Sequence, residues 1–388
     1  MEIEMQYPRR IAVVILICCA VIMVMLAREF GKMHIAEPIY PGEGVTEVRM
    51  LSDYLPQLKE SAGDTEIYVL RGEREGASML VLGGTHPREP AGMLSAVTLI
   101  ENASAQQGIL YIIPRVNKSA YTCTEPLEGT PSGFTINTPD GPRYFRNASR
   151  VSNPIDQWPD PDIYQHITGQ QLTGKEVRNI NRVYPGKADG ELTEQIAAGI
   201  VAFINAEGID VTIDLHEGPP EFLSVNAVIA HENAMDLTTQ AVFNMSFDDV
   251  ELDVQASPKE LHGYSHRELG DYTETMAVLP ETCNIEQGRL HGLKNEEMLL
   301  DAKSKYYVYA AGYGKFSIPY TDEGTPIDLR VARHIETVLQ YAIAYNEMEY
   351  GKSMEFSMPA YSEIISNGLG AYLCPKESHE KECVTDGI

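Results

Sequence analysis

Short apolar runs alternate with helically spaced stretches along this chain, and that alternation leaves few folds open. Ile67 to Leu70 and Met79 to Leu82 read as buried strands, and the second runs into the tight turn Gly83-Gly84-Thr85-His86. From Glu89 to Ala103 the apolar residues Met93, Ala96, Leu99 and Ile100 recur at the spacing of a helix packed on a sheet. Leu110 to Ile113 is another strand, and Leu192 to Ile204 is a helix with Ile196, Ile200 and Phe203 on one face. Val211 to Leu215 is a strand that ends at His216. Ser224 to Ala230 and Met276 to Leu279 read as further strands, and Ile327 to Tyr345 as a long helix. Alternating elements of this kind predict an α/β domain, with functional loops gathered at the carboxyl ends of the strands. Tyr121 to Gly174 is dense in Pro, Gly and polar residues and reads as a long functional loop.

At the N-terminus, Ile11 to Ala27 is an uncharged run flanked by Arg9-Arg10 and Arg28. It sits at the lower edge of the ~17–25 residues that cross a bilayer; as a signal it would offer Cys18-Cys19-Ala20 as its one small-residue cleavage site, since Met25-Leu26-Ala27 fits badly at its first position. The expected organisation is a membrane anchor or signal segment over 1–32, a catalytic domain over 33–350 and a tail over 351–388. An anchored or exported protein with an extracytoplasmic catalytic domain follows as an inference. In that setting Cys374 and Cys383 would close a small disulfide loop, with free buried thiols the alternative.

Charge narrows the partners. The chain carries 30 Lys+Arg against 56 Asp+Glu, a formal charge of −26, which repels nucleic acid and anionic lipid surfaces. A carboxylate-bearing ligand therefore needs a local group of arginines.

Two segments carry donor groups. His86-Pro87-Arg88-Glu89 sits on a strand-to-helix turn, and Asp214-Leu215-His216-Glu217 at a later strand end. Two imidazoles and one carboxylate are the usual protein ligands of a catalytic zinc, which keeps a further position for water. Alone, H-x-x-E says little, because His379-Glu380-Lys381-Glu382 repeats it in a polar tail. His86 is then a loop histidine, and Glu89 a helix-start carboxylate favoured by the macrodipole. Asp214 either orients His216 or makes an ordinary strand-end hydrogen bond. The run Arg178-Asn179-Ile180-Asn181-Arg182-Val183-Tyr184-Pro185-Gly186 delivers two guanidinium groups and two amides, a site for an anion or a surface loop paired with acids. There is no G-x-S-x-G elbow, P-loop or dinucleotide fingerprint.

Taken together, Gly83-Gly84-Thr85-His86 with Glu89, Asn181 to Gly186 and Asp214-Leu215-His216 resemble, in order and spacing, the zinc carboxypeptidase superfamily, closest to its succinylglutamate desuccinylase/aspartoacylase branch. The likeness runs from Ile67 to Tyr345. It implies a mixed central sheet flanked by helices, one Zn2+ on His86, Glu89 and His216, and substrate carboxylate recognition by Asn181 and Arg182. It also implies a catalytic glutamate, which Glu281 in Val278-Leu279-Pro280-Glu281-Thr282 supplies, with Glu274 and Glu286 as rivals. Arg178 corresponds to the oxyanion arginine, with Arg143, Arg146 and Arg150 competing. No β-rich C-terminal cap is expected after the Ile327 helix, which departs from many aspartoacylase-like members.

The resemblance implies an amide hydrolase acting on small or peptide substrates that carry a free carboxylate. A deacylase, a membrane-anchored carboxypeptidase and a non-catalytic zinc-binding module of the same fold remain distinct expectations.

Overall fold

The computed structural model describes residues 6–125, 129–248 and 250–373. The chain divides into two units, one up to Pro38 and one from Ile39 onward. In the first, α1 (Gln6–Lys32) contains a 24-residue stretch, Arg9–Lys32, whose most apolar 18-residue window has a mean hydropathy of 2.9. At 1.5 Å per residue that stretch is about 36 Å long, enough by length and composition to cross a ~30 Å hydrocarbon layer.

The second unit begins with β1 (Glu47–Met50), β2 (Glu66–Arg71), β3 (Arg74–Leu82), α2 (Pro90–Asn102) and β4 (Ser104–Ile113). Two hairpins follow, β5 (Gly133–Thr138) with β6 (Gly141–Arg146), and β7 (Ile163–Gln165) with β8 (Gln171–Thr173). The stretch read as loop from 121 to 174 is thus partly paired. The chain continues through α3 (Leu192–Glu207), β9 (Val211–Asp214), β10 (His216–Gly218), β11 (Ala227–Ala230), α4 (Met235–Met245), β12 (Asp253–Ala256), α5 (Ser265–Tyr272) and β13 (Met276–Cys283). It closes with α6 (Glu296–Asp301), α7 (Lys305–Ala311), α8 (Ile327–Glu347), β14 (Glu355–Ser357) and α9 (Tyr361–Asn367).

Ten strands form one mixed sheet in the order β1-β2-β4-β3-β9-β13-β11-β12, with β10 beside β13 and β14 beside β4. The segment after 350 therefore contributes an edge strand, whereas Cys374, His379 and Cys383 lie outside the described residues. β3, β9 and β13 are parallel neighbours, so their carboxyl ends share one rim of the sheet. Parallel pairing demands crossover connections, and the turns that leave this rim carry the polar residues.

Side chains alternate across each strand. Met79 and Val81 of β3 face the apolar layer built with α2, α4 and α8, whereas Leu80 and Leu82 face the layer built with α3 and Leu269 of α5. Both faces are covered, which is why β3 reads as a continuous apolar run. Leu82 is fully buried next to the functional rim. Leu82→Ala is expected to cost about 2–5 kcal/mol of stability, measured by denaturant unfolding; a loss below about 1 kcal/mol would contradict this packing.

Candidate metal centre

Three parallel strand ends bring the donors together. After Leu82 the chain turns through Gly84, whose φ of +66° and 2.4 Å clearance from the Tyr121 hydroxyl to a built Cβ leave room for glycine alone. The Glu89 amide donates to the His86 carbonyl at 2.9 Å, closing a turn that points both side chains the same way. Pro90 opens α2 directly after Glu89, where the helix dipole favours a carboxylate. On the adjacent strand, the Leu215 amide donates to the Leu82 carbonyl at 2.9 Å, which locks the His216 segment to the His86 turn. One strand further, Glu281 of β13 lies opposite His216 in parallel register.

In the folded chain His86 Nδ1 is 2.8 Å from Glu89 Oε1, and His216 Nδ1 is 2.9 Å from Glu89 Oε2. One donor atom from each of the three residues falls within 4.8 Å of the others, and all three side chains are buried. Their outer faces are fixed too. His86 Nε2 lies 2.9 Å from Asn179 Oδ1, an oxygen that also accepts from the Asn181 amide, while Asn179 Nδ2 donates to Glu176. That amide orientation makes Nε2 the protonated nitrogen of His86. His216 Nε2 lies 3.0 Å from Asp214 Oδ2, and Asp214 also accepts from Thr85 Oγ1 at 2.6 Å and Ser265 Oγ at 2.5 Å.

Electrostatics follow the same partition. Burial, with Arg150 nearby, pushes His86 down to about 4, so its ring is neutral near pH 7. Burial opposes charge on His216 as well, but Asp214 and Glu89 lift it to about 10. Burial would raise both carboxyls; the imidazoles overcome it, holding Glu89 well below and Asp214 below the ordinary range. A neutral His86 whose only N–H points at Asn179 therefore turns a lone pair toward a carboxylate oxygen at 2.8 Å. A cation bound between these two atoms would satisfy both. Two imidazoles and one carboxylate, each backed by an outer hydrogen bond, fit zinc, which would take the place of the His216 proton facing Glu89.

Around these donors lies a cleft of about 290 Å³ whose lining includes Arg150, Asn181, Arg182, Ser224 and Glu281. Arg150 Nη1 donates to Glu89 Oε1 at 2.9 Å. The Arg182 guanidinium sits 4.0 Å over the Tyr264 ring and donates to the Asn181 carbonyl at 2.6 Å. Asn181 Oδ1 accepts from the Ser265 amide at 2.8 Å, and Gly263, at φ +88°, lets that segment press against the Arg182 backbone, where a Cβ would come within 2.1 Å of the carbonyl. Ser224 Oγ donates to Glu281 Oε2 at 2.8 Å. Burial raises the Glu281 carboxyl above its usual range, against the opposing pull of His216 and Ser224.

The rival residues are placed elsewhere. Arg178, the expected oxyanion arginine, is turned away from the cleft: its guanidinium makes a two-pronged pair with Asp160 at 2.7 and 2.9 Å and donates to the Ser152 carbonyl. Arg143 is held by Glu101, and Arg146 by the Tyr121 carbonyl. Of the four arginines, Arg150 alone lines the cleft. Glu286 is buried against Arg88, Lys294 and Thr130. Glu274 is exposed in the bend before β13, whose run from Met276 to Glu281, about 17 Å long, lies between the two glutamates. Ser224, ahead of β11, Tyr264, ahead of α5, and His266, in its first turn, also line the cleft and were not singled out from sequence, because no motif marks them.

No family model matches the chain, and no curated protein matches it. Among solved structures, the chain is similar to a succinylglutamate desuccinylase from Silicibacter sp. TM1040, at 20% identity over 58% of this chain and 55% of that one, with a TM-score of 0.37. It is also similar to a metallo-carboxypeptidase from Burkholderia cenocepacia, at 10% identity over 76% and 68% of the two chains, TM-score 0.42. A third is the apo cell shape determinant protein Csd4 from Helicobacter pylori, at 11% identity over 78% and 59%, TM-score 0.45. The chain thus spans little more than half the length of the desuccinylase it matches.

Proposed function

We propose that this chain is a zinc-dependent hydrolase of amide bonds in carboxylate-bearing substrates, a deacylase of the succinylglutamate desuccinylase/aspartoacylase type. One observation carries the reading: His86 and His216 both aim Nδ1 at the Glu89 carboxylate, and Glu281 lies beside them in strand register. His86, Glu89 and His216 would hold the metal. A zinc ion so held supplies Lewis acidity for the scissile carbonyl and lowers the pKa of its water toward ~7.

The chain's own side chains do the rest. Glu281, raised by burial, is a stronger base than an exposed carboxylate; it takes a proton from the attacking water and passes it to the leaving nitrogen. Ser224 fixes which Glu281 oxygen faces the cleft. Arg150, rather than Arg178, offers a guanidinium to the carbonyl oxygen as negative charge develops, an interaction worth about 3–4 kcal/mol for a single donor. Arg182, flattened on Tyr264, and Asn181 hold the substrate carboxylate. α1 would tether the catalytic domain to a membrane, with the domain extracytoplasmic.

The test is product analysis with zinc-loaded full-length protein. Free acid is expected from N-acyl amino acids, with kcat/KM roughly 10- to 100-fold lower when the α-carboxylate is blocked as an amide, since Arg182 then loses its charged partner. Release of C-terminal residues from peptides, with N-acyl amino acids left intact, would replace the deacylase by a carboxypeptidase. No release from either class would leave a zinc-binding module.

A further inference from the structure

A fully buried carboxylate that the proposed reaction leaves idle adjoins the three donors. Glu217 follows His216 on β10, and its side chain has no exposed surface. Its amide donates to Glu89 Oε2 at 3.1 Å, while its own Oε2 accepts from the Ala91 amide at 2.9 Å. The residue therefore clasps the Glu89 segment twice, once at the donor carboxylate and once at the backbone two positions on. Its other oxygen pairs with Arg330 of α8, an equally buried guanidinium that also donates to the Thr325 and Leu299 carbonyls.

Glu89 is the N-cap of α2, with Pro90 and Ala91 as the first two helical residues. The first amides of a helix have no partner inside it, and the N-cap side chain ordinarily accepts from one of them. Pro90 has no N–H to satisfy, so Ala91 carries the first helical amide that needs an acceptor. The Glu89 side chain makes no capping bond, because its two oxygens are turned to the two imidazoles. Glu217 supplies the missing cap from the neighbouring strand. Glycine keeps the two segments close enough for that: a Cβ on Gly92 would stand 2.6 Å from the Leu215 carbonyl, so the first turn of α2 lies directly on the chain that leads to His216. A carboxylate buried this deeply needs a countercharge, and Arg330 provides it.

We infer that Glu217 is a positioning residue: it caps α2 in place of Glu89 and so keeps the Glu89 carboxylate free to hold the metal. This rests on the metal-binding part of the reading above and on no step of the hydrolysis. Without the Glu217 carboxylate, the buried Ala91 N–H has no acceptor, and Glu89 is the only carboxylate within two residues of it. Glu89 then turns from His86 and His216 to its own helix, since a buried donor left unsatisfied is costly. Arg330 takes part by balancing a buried charge. Removing both charges together leaves the cap as the difference that is read.

Metal binding by the full-length protein tests it, with Arg330→Met in every variant so that no unpaired guanidinium remains. Exchanging a whole buried ion pair for groups of similar volume is often neutral for stability. With Glu217→Gln the side-chain oxygen still accepts from Ala91, and the zinc Kd should stay near the wild-type value. With Glu217→Leu no acceptor remains, and the zinc Kd should rise about 10- to 100-fold. The visible absorption of the cobalt(II)-loaded protein, which reports the donor set, should shift with Glu217→Leu and stay in place with Glu217→Gln. Glu217→Asn, polar but one methylene short of the Ala91 amide, should behave as Glu217→Leu does, and it carries the test if an apolar group at this position prevents folding. Metal-free Glu217→Gln and Glu217→Asn proteins that melt alike while their zinc Kd values diverge are the expected result. An unchanged zinc Kd and cobalt spectrum without the cap, or an equal loss with Glu217→Gln, would overturn the assignment. A chain that binds zinc in this cap-dependent way yet hydrolyses no amide sinks only the hydrolase reading.

Discussion

Glu281→Gln is expected to lower kcat by roughly a hundred- to ten-thousandfold, the usual contribution of a positioned general base, while zinc content stays at one per chain. The two readouts separate because Glu281 is outside the donor set: it neighbours His216 across the strand pair, but its nearest side-chain partner is Ser224. Glutamine keeps the shape and still accepts from Ser224, so packing survives and only proton transfer is lost. Burial holds the Glu281 carboxyl above its ordinary range, so the wild-type acid limb of kcat/KM should lie above that of an exposed glutamate and vanish from any residual Gln activity. Full turnover in the variant, measured on N-acyl amino acids, would remove Glu281 from the chemistry.

His216→Ala should reduce bound zinc, measured by elemental analysis after dialysis, from one equivalent to none. The loss exceeds that of one ligand. Asp214 is fully buried and gives up its imidazole partner, keeping only the Thr85 and Ser265 hydroxyls. Breaking one side of a buried charged pair costs about 3–5 kcal/mol, so the variant should also melt lower than the metal-free wild type. Asp214→Asn gives the graded control: with the ligands intact but one outer hydrogen bond weakened, zinc affinity should fall about 10- to 100-fold. Full retention of zinc by His216→Ala would mean that another set of side chains binds the metal.

How far the sequence discloses this arrangement depends on periodicity. Leu82 and Leu215 end runs that can only be buried strands, so His86 and His216 are expected on one rim, and the structure brings them there. Arg178 and Arg182 belong to one short polar segment, and nothing in their spacing tells which guanidinium faces inward. The backbone resolves it with two tight turns, Gly174–Arg178 and Ile180–Arg182: Arg178 leaves toward Asp160, Asn179 reaches His86 and Arg182 enters the cleft. Arg150 lies just after β6, inside the Pro- and Gly-rich stretch, where no repeat of two or 3.6 exists to place it. The same stretch conceals its two hairpins.

The candidate metal donors stand on strand ends tied by the Leu215 to Leu82 hydrogen bond, whereas the wall across the cleft from them comes mainly from one connection, residues 256–266. The floor of donors and the facing wall thereby belong to separate parts of the chain. A change confined to that single connection would reshape the cleft and leave the hydrogen-bonded framework under the three donors untouched.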